Sequence, residues 1–278
     1  MRIEGATVAV VGMARSGVAA ARLLLSRGAA VRGVDCNPVA EPDRVAGVEY
    51  LDQTARAFAG VDLIVLSPGV SRDLDLLVAP RQRGIPVIGE VELAGFYLQG
   101  PVIGITGSNG KTTTTALTGH ILRESGIACQ VGGNIGTPPA SMVESSRADQ
   151  WNVLELSSFQ LETIREFRAR IGAALNLTPD HLDRHRTMEA YSAAKRRLFE
   201  TQDESGFAVL NGDDAIVSSY AAHTRATPVW FSFRDEQPRG MFFRGEQLYF
   251  LGEPWITRGD IPLPGLHNVE NVMAASLC

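Results

Sequence analysis

The chain of 278 residues has little cysteine, no excess of positive charge and no long apolar run. Its three cysteines, Cys36, Cys129 and Cys278, are widely spaced and odd in number. That pattern argues against a disulfide framework or a cysteine zinc site and fits a reducing compartment. Lys and Arg number 26 against 31 Asp and Glu, a net charge of −5. A nucleic-acid partner would leave a basic excess, so none is expected. No stretch approaches the ~20 apolar residues that span a bilayer, so no membrane partner is expected either. The opening Met1-Arg2-Ile3-Glu4-Gly5 carries an early acid and runs almost directly into a strand, unlike a signal peptide. A cytoplasmic location follows as the expectation. Repeats and low-complexity tracts are also missing. What remains, 45% hydrophobic and 21% charged residues, describes a soluble globular chain long enough for two domains.

The most telling segment present is Gly104-Ile105-Thr106-Gly107-Ser108-Asn109-Gly110-Lys111-Thr112-Thr113. It follows an apolar run, Pro101 to Ile105, that reads as a buried strand, and it opens a helix-like stretch from Thr112 to Ser125. Glycines in such a turn let backbone N–H groups converge on phosphate oxygens, and the helix N-terminus adds partial positive charge. Lys111 can reach β- and γ-phosphates and the Thr112 hydroxyl can ligate Mg²⁺. The common phosphate loop would have glycine where Ile105 stands. Phosphate binding is therefore expected, but not the usual GTPase or motor classes.

Before this loop the chain alternates strands and helices. Ala6 to Val11, Val31 to Val34, Leu63 to Leu66 and Ile85 to Ile88 read as strands of a doubly wound sheet, and Gly17 to Arg27 as a helix. Gly12-Met13-Ala14-Arg15-Ser16-Gly17 is a dinucleotide fingerprint with alanine at its second glycine, and Asp35 ends the second strand where a ribose hydroxyl would be held. A nicotinamide cofactor and a purely structural turn are both open readings. Ser67-Pro68-Gly69 ends another strand on the same edge, where ligands collect in open α/β sheets.

The second α/β unit, beginning near Pro101 after a boundary around Val91 to Gly100, carries the other chemistry. Val153 to Leu156 and Ile171 to Asn176 read as strands, and Glu189 to Thr201 as a helix. Glu155, ending an apolar strand, stands where a Mg²⁺-binding carboxylate belongs. Asn134 lies among glycines in Gly132-Gly133-Asn134-Ile135-Gly136, which suits close approach to a ligand or a tight turn alone. His181 and His185 could share a helix face, but no third zinc ligand is apparent; one histidine at a Mg²⁺ or substrate site fits better. Lys195, flanked by Arg196 and Arg197, reads as part of a solvated basic face. After Gly206, four short apolar runs look like antiparallel strands at an edge. Asn268 to Cys278 has helix composition without a glycine cap, so the native sequence is expected to continue past Cys278.

Together these motifs resemble the Mur ligase family, which builds the peptide of bacterial peptidoglycan. The residues that carry the resemblance are Gly107 to Thr112, Gly132 to Gly136, Leu154-Glu155-Leu156-Ser157-Ser158-Phe159-Gln160-Leu161, Asp180 to His185, and Gly265 to Asn271. The Glu-Leu-Ser-Ser-Phe-Gln run points to the member that adds D-glutamate to UDP-N-acetylmuramoyl-L-alanine. The resemblance implies a Rossmann-like UDP-binding domain over residues 1–92 and a central ATP-binding α/β domain with a small antiparallel sheet over 93–278. A third, amino-acid-binding domain would be absent, leaving this chain with little or no turnover by itself. Ala14, Arg15, Ser16, Asp35, Cys36, Asn37, Ser67, Pro68 and Gly69 become the implied UDP contacts. Asn134, Ser157 and Gln160 would position the substrate.

The resemblance also implies ATP on Gly107, Ser108, Asn109, Gly110, Lys111, Thr112 and Thr113, with Asn268 and Asn271 near the adenine. Lys111, Glu155, His181 and Lys195 become the implied catalytic residues. Two Mg²⁺ ions would sit with Thr112 and Glu155, and with His181 and a carbamylated Lys195. The implied protein is a cytoplasmic monomer. Another Mur or folylpolyglutamate-type ligase, a nicotinamide-dependent oxidoreductase and a non-catalytic nucleotide-binding module are the competing readings.

Overall fold

A computed structural model describes residues 3–41 and 44–278. Met1 and Arg2, the start of the N-terminus that does not read as a signal peptide, lie outside the described residues. The chain divides into two compact units. One comprises Met1–Gln99, Thr137–Ser146 and Glu162–Phe167; the other comprises Gly100–Gly136, Arg147–Leu161 and Arg168–Cys278.

The first unit is a parallel sheet with helices. Its strands are β1 (Thr7–Val11), β2 (Ala30–Asp35), β3 (Val48–Asp52), β4 (Leu63–Leu66) and β5 (Val87–Gly89), in the order β3-β2-β1-β4-β5. Along β1, Val8 and Val10 join one apolar cluster while Ala9 and Val11 join another. That alternation buries both faces, as a crossover-connected parallel sheet requires. Helix α1 (Arg15–Ser26) follows β1 and contributes Ala20, Ala21 and Leu24 to the first cluster. Strand β3 was not expected from the sequence: its Val-Glu-Tyr-Leu-Asp alternation has no fully buried residue.

Two short helices, α2 (Val78–Gln82) and α3 (Glu90–Gly95), flank β5. Helix α3 ties down both later segments of its unit. Glu92 accepts the N–H groups of Arg165 and Phe167 on Oε2 and of Glu166 on Oε1, at 2.8 to 3.0 Å. Three donors around one buried carboxylate offset the cost of desolvating it. Glu90 accepts only the Ala140 N–H, and burial pushes its carboxyl up to about 7.

The second unit begins with β6 (Val102–Thr106), α4 (Lys111–Glu124) and β7 (Cys129–Gly133). Helix α5 (Pro139–Met142) belongs to the first unit. Then follow β8 (Trp151–Glu155), α6 (Ser158–Leu161), β9 (Ile171–Ala174), α7 (Leu182–His185) and α8 (Met188–Glu200). Strand β10 (Phe207–Asn211), α9 (Ala215–Ser219) and β11 (Thr227–Ser232) come next. Strands β12 (Met241–Arg244), β13 (Gln247–Phe250) and β14 (Glu253–Thr257) and helix α10 (Leu266–Leu277) complete the unit.

Nine strands form one mixed sheet in the order β14-β13-β12-β11-β10-β9-β6-β8-β7. The four late strands expected to be antiparallel are therefore partly misread. Strands β10 and β11 pair parallel with their neighbours, as does β12 with β11; only β12-β13-β14 is antiparallel. The physical reason is the crossover through α9, a five-residue helix whose N-cap Asp214 accepts from Ile216 and Val217. A parallel pair needs such a crossover. By contrast β12 and β13 are joined by Gly245-Glu246, both with positive φ, a two-residue hairpin geometry.

Candidate functional site

The site of the second unit is built where β6, β8 and β9 end side by side. The turn after β6 is pinned to the chain leaving β9. Ser108 N donates to Asn176 O at 2.9 Å and Asn109 N to Asn176 Oδ1 at 2.8 Å. Ser108 Oγ donates to Thr178 O at 3.0 Å and lies 3.1 Å from Tyr191 Oη. Gly110 caps α4 with φ +82, and a Cβ there would meet Asn271 Oδ1 at 2.3 Å. Only glycine fits that position.

Helix α4 opens with the chemistry. Thr112 Oγ1 donates to Glu155 Oε2 at 2.8 Å, and Asn134 Nδ2 donates to Glu155 Oε1 at 3.0 Å. Glu155 is 2% exposed, and both of its carboxylate oxygens are paired. The adjacency of β7 and β8, with Gly133 opposite Glu155, brings Asn134 there. Lys111 Nζ donates to Gly107 O at 3.0 Å and Ser108 O at 2.8 Å. Lys195 Nζ reaches the same Gly107 O at 2.8 Å.

Lys195 corrects a reading from composition. It does not join a solvated basic face: it is 2% exposed, with its ammonium 4.7 Å from the Tyr191 ring centroid. Its neighbour Arg196 does face solvent, paired with Glu200. One helix turned every 100° hides the first and exposes the second. Burial, then the charge of Lys111, pull the Lys195 amine down to about 7; Asp180 and Glu155 oppose this. Burial also lowers Lys111, against the pull of Glu155 and Asp180.

The two histidines part company. His181 is the N-cap of α7 in a left-handed conformation, φ +51, and pairs with Asp180 at 3.4 Å. His185 turns inward, 8% exposed, with Nε2 2.9 Å from Ser158 Oγ. Among the described residues no group of three or more His, Cys, Asp and Glu side chains could hold a metal. The oxygens of Thr112 and Glu155 instead fit a hard cation that shares its shell with phosphates.

Other expected residues pair among themselves. Ser157 N and Oγ both donate to Gln160 Oε1, at 2.9 and 3.1 Å. Asn271, 5% exposed, accepts from Thr114 and donates to Asn268 Oδ1. Thr113 lies in the first turn of α4. Asn176, Thr178, Tyr191 and Ser158 were not singled out from sequence. Tyr191 had a signal, since it lies four residues before Lys195 on one helix face.

In the first unit the expected residues gather on the C-terminal edge of β1, β2 and β4. Ala14 is the N-cap of α1, followed by Arg15 and Ser16. Ser67 Oγ donates to Gly12 O at 2.6 Å, and Pro68 and Gly69 follow it. Asp35 accepts from Met13 N at 2.6 Å and Asn37 N at 3.0 Å, and from the Cys36 thiol. Burial alone would raise Asp35, but these bonds outweigh it and hold the carboxyl below its usual range. A cavity of about 460 Å³ is lined by Asp35, Cys36 and Asn37 together with Asp52, Gln53 and Thr54. The last three were missed because β3 was missed; Asp52 stands opposite Asp35 in the sheet.

The model of the Mur ligase middle domain matches residues 105–278. The UDP-N-acetylmuramoylalanine–D-glutamate ligase of Solibacter usitatus is 56% identical over all of this chain and 63% of its own length. The ligase of that name from Koribacter versatilis is 48% identical over 99% of this chain and 63% of its own length. The chain thus spans about 63% of the length of these curated relatives. A solved UDP-N-acetylmuramate:L-alanyl-gamma-D-glutamyl-meso-diaminopimelate ligase from Neisseria meningitides shares the fold. Its TM-score is 0.63 at 19% identity, over 98% of this chain and 92% of that one. No helix among the described residues is long and apolar enough to cross a membrane.

Proposed function

The chain belongs to the Mur ligase family, and from that premise we propose that it serves an ATP-dependent amide ligation. The reaction joins D-glutamate to UDP-N-acetylmuramoyl-L-alanine in the cytoplasm, within a monomeric enzyme. Two relatives that carry this activity in their names, at 56% and 48% identity, support the choice of substrates. The observation that carries the reading is the convergence of Lys111 and Lys195 on the Gly107 carbonyl, beside the Thr112–Glu155–Asn134 contact.

Ligation of this kind proceeds in two steps. The substrate carboxylate attacks the γ-phosphorus of ATP, releasing ADP and leaving an acyl phosphate. The D-glutamate amine then displaces phosphate and loses a proton as the amide forms. The first step brings two anions together, so fixed positive charge must offset their repulsion. Lys111, at the N-terminus of α4, supplies such a charge to the ATP phosphates. The backbone of the loop Gly107 to Gly110 is held by Asn176, which sets part of its shape before phosphate binds.

Thr112 and Glu155 would hold one Mg²⁺, and His181 with Lys195 a second. The ions would neutralise developing charge on phosphate oxygens. Carbamylation suits Lys195, since CO₂ adds only to a neutral amine and burial brings this one to about 7. The amine then loses a proton and gains a carboxylate. Ser157, Gln160 and Asn134 would position the substrate carboxylate, and Asn268 and Asn271 would lie on the adenine side. Ala14 to Ser16, Asp35 to Asn37 and Ser67 to Gly69 would hold UDP in the first unit.

The test offers the full-length protein ATP, Mg²⁺ and UDP-N-acetylmuramoyl-L-alanine with D-glutamate, L-lysine or diaminopimelate. Phosphate release and amide formation are expected with D-glutamate alone. Incorporation of L-lysine or diaminopimelate instead would reject the assignment.

A further inference from the structure

The turn after Glu155 is closed on itself. Ser157 caps α6, accepting from Gln160 N, while the Gln160 side chain accepts from Ser157 N. This reciprocal pair is a capping box and is internal to the turn. Two other side chains of the turn reach across to α7. Ser158 Oγ, on a residue 1% exposed, lies 2.9 Å from His185 Nε2. Phe159 is held by three residues of one segment: its ring lies 4.8 Å from the His181 ring and stacks 5.4 Å from the His185 ring. The Arg184 guanidinium lies 4.8 Å from its centroid.

His181, one of the residues read as acting in ligation, stands at φ +51, a backbone region that costs a non-glycine residue about 1 kcal/mol or more. Such a conformation persists only when its surroundings over-determine it. The His185 and Arg184 N–H groups both bond the His181 carbonyl, at 3.0 and 3.1 Å. The His185 side chain then fastens that turn to Ser158 and Phe159, and its ring also lies 5.3 Å from the Tyr191 ring. Tyr191 in turn touches Ser108 of the phosphate loop.

We propose that His185 is a positioning residue, whose bond to Ser158 and stack on Phe159 hold His181 and the Ser157–Gln160 turn in register. It is not a catalytic residue, because its Nε2 is committed to Ser158. The inference rests on the ligase reading for what those two groups do, and on geometry alone for the clasp itself.

The test uses the full-length protein and four variants, each checked by thermal unfolding. His185→Phe keeps a ring and loses the hydrogen bond; His185→Gln keeps a polar group near the Nε2 position. His185→Phe should lower kcat by ~10-fold, the scale found when a partner that orients a site histidine is removed, with KM for ATP little changed. Mn²⁺ affinity, titrated in the presence of a non-hydrolysable ATP analogue, should weaken by a similar factor. His185→Gln should recover most of both. Ser158→Ala should match His185→Phe, and the double variant should be no worse than either, because one interaction is lost twice. A folded His185→Phe with full kcat and Mn²⁺ affinity would overturn the proposal, as would losses that multiply in the double variant. If His185→Phe does not fold, Ser158→Ala carries the same decision. If the unmodified protein transfers no D-glutamate, the ligase reading fails and the Mn²⁺ titration still decides the clasp.

Discussion

Both units place a glycine-rich turn between a buried strand and a helix, yet the two turns face opposite chemistry. In the first, the Gly12 carbonyl takes a hydroxyl from Ser67, and the Met13 N–H is committed to the Asp35 carboxylate. The cavity beside it carries a second acid, Asp52. In the second, two loop carbonyls face lysine ammonium groups, and the helix opens on Lys111 and Thr112. Carboxylates at a mouth welcome hydroxyl and imide N–H donors, as at the uridine end of the proposed UDP ligand, and lysines welcome phosphate. The turn itself sets only strand–turn–helix geometry. What differs is what the neighbouring elements bring: β2 and β3 bring acids to the first turn, while α8 brings a second lysine to the other.

The sharpest way to break this contrast is Lys111→Ala. Removing the one loop lysine should cost ~10²- to 10³-fold in kcat, the scale of losing a charge-stabilising donor. Binding of the UDP-substrate, followed by calorimetry, should be unchanged. An unaltered kcat would mean that the second turn does not hold the reacting phosphates.

Gly17→Ala tests the closed character of the first turn. A Cβ at residue 17 would lie 1.8 Å from Gly12 O and 2.9 Å from Ser67 Oγ. Neither α1 nor the turn can give way without disturbing the other. Forced repacking of this kind costs ~1–3 kcal/mol, read as a lower unfolding temperature. A variant as stable as the parent would show that the turn is looser than its contacts imply.

How far these contrasts were legible in sequence differs between the two units. The phosphate loop and Glu155 lie at the ends of strongly apolar strands, so pattern and motif agreed there, whereas Asn134, after the less apolar β7, was marked only by its flanking glycines; the structure brings Thr112, Glu155 and Asn134 together. Strand β3 gave no such signal, because every residue in it keeps some exposure, and with it went Asp52, Gln53 and Thr54. Lys195 could not be read from composition at all. Its basic neighbours suggested solvent, whereas the face it occupies is decided by α8 packing against the loop. The bond between His185 and Ser158 was hidden for a related reason: it links residues 27 apart in sequence, through elements of only four residues each. Long-range pairs of this kind leave no periodic trace.

The smallest expected effect is the most selective. Asp35→Asn keeps the shape of the β2 end but removes its charge. One hydrogen bond to a charged group is worth ~1.5–3 kcal/mol, part of which the amide retains. The KM for the UDP-substrate should therefore rise by no more than ~10-fold, with kcat at saturation unchanged and ATP binding intact. Asp35 also carries an acid signature. Burial raises its carboxyl, but the N–H groups of Asn37 and Met13 and the Cys36 thiol bring it below the reference value of 3.8. A carboxyl lowered on folding contributes stability above its unfolded value, and that stability is lost as pH falls through the folded value. The parent should accordingly lose stability more steeply below 3.8 than Asp35→Asn does, in unfolding temperatures measured from about pH 5 downwards. Parallel curves would show that the Met13 and Asn37 bonds do not depend on charge at Asp35. The acidic mouth of the first turn would then lose its claim to choose the ligand.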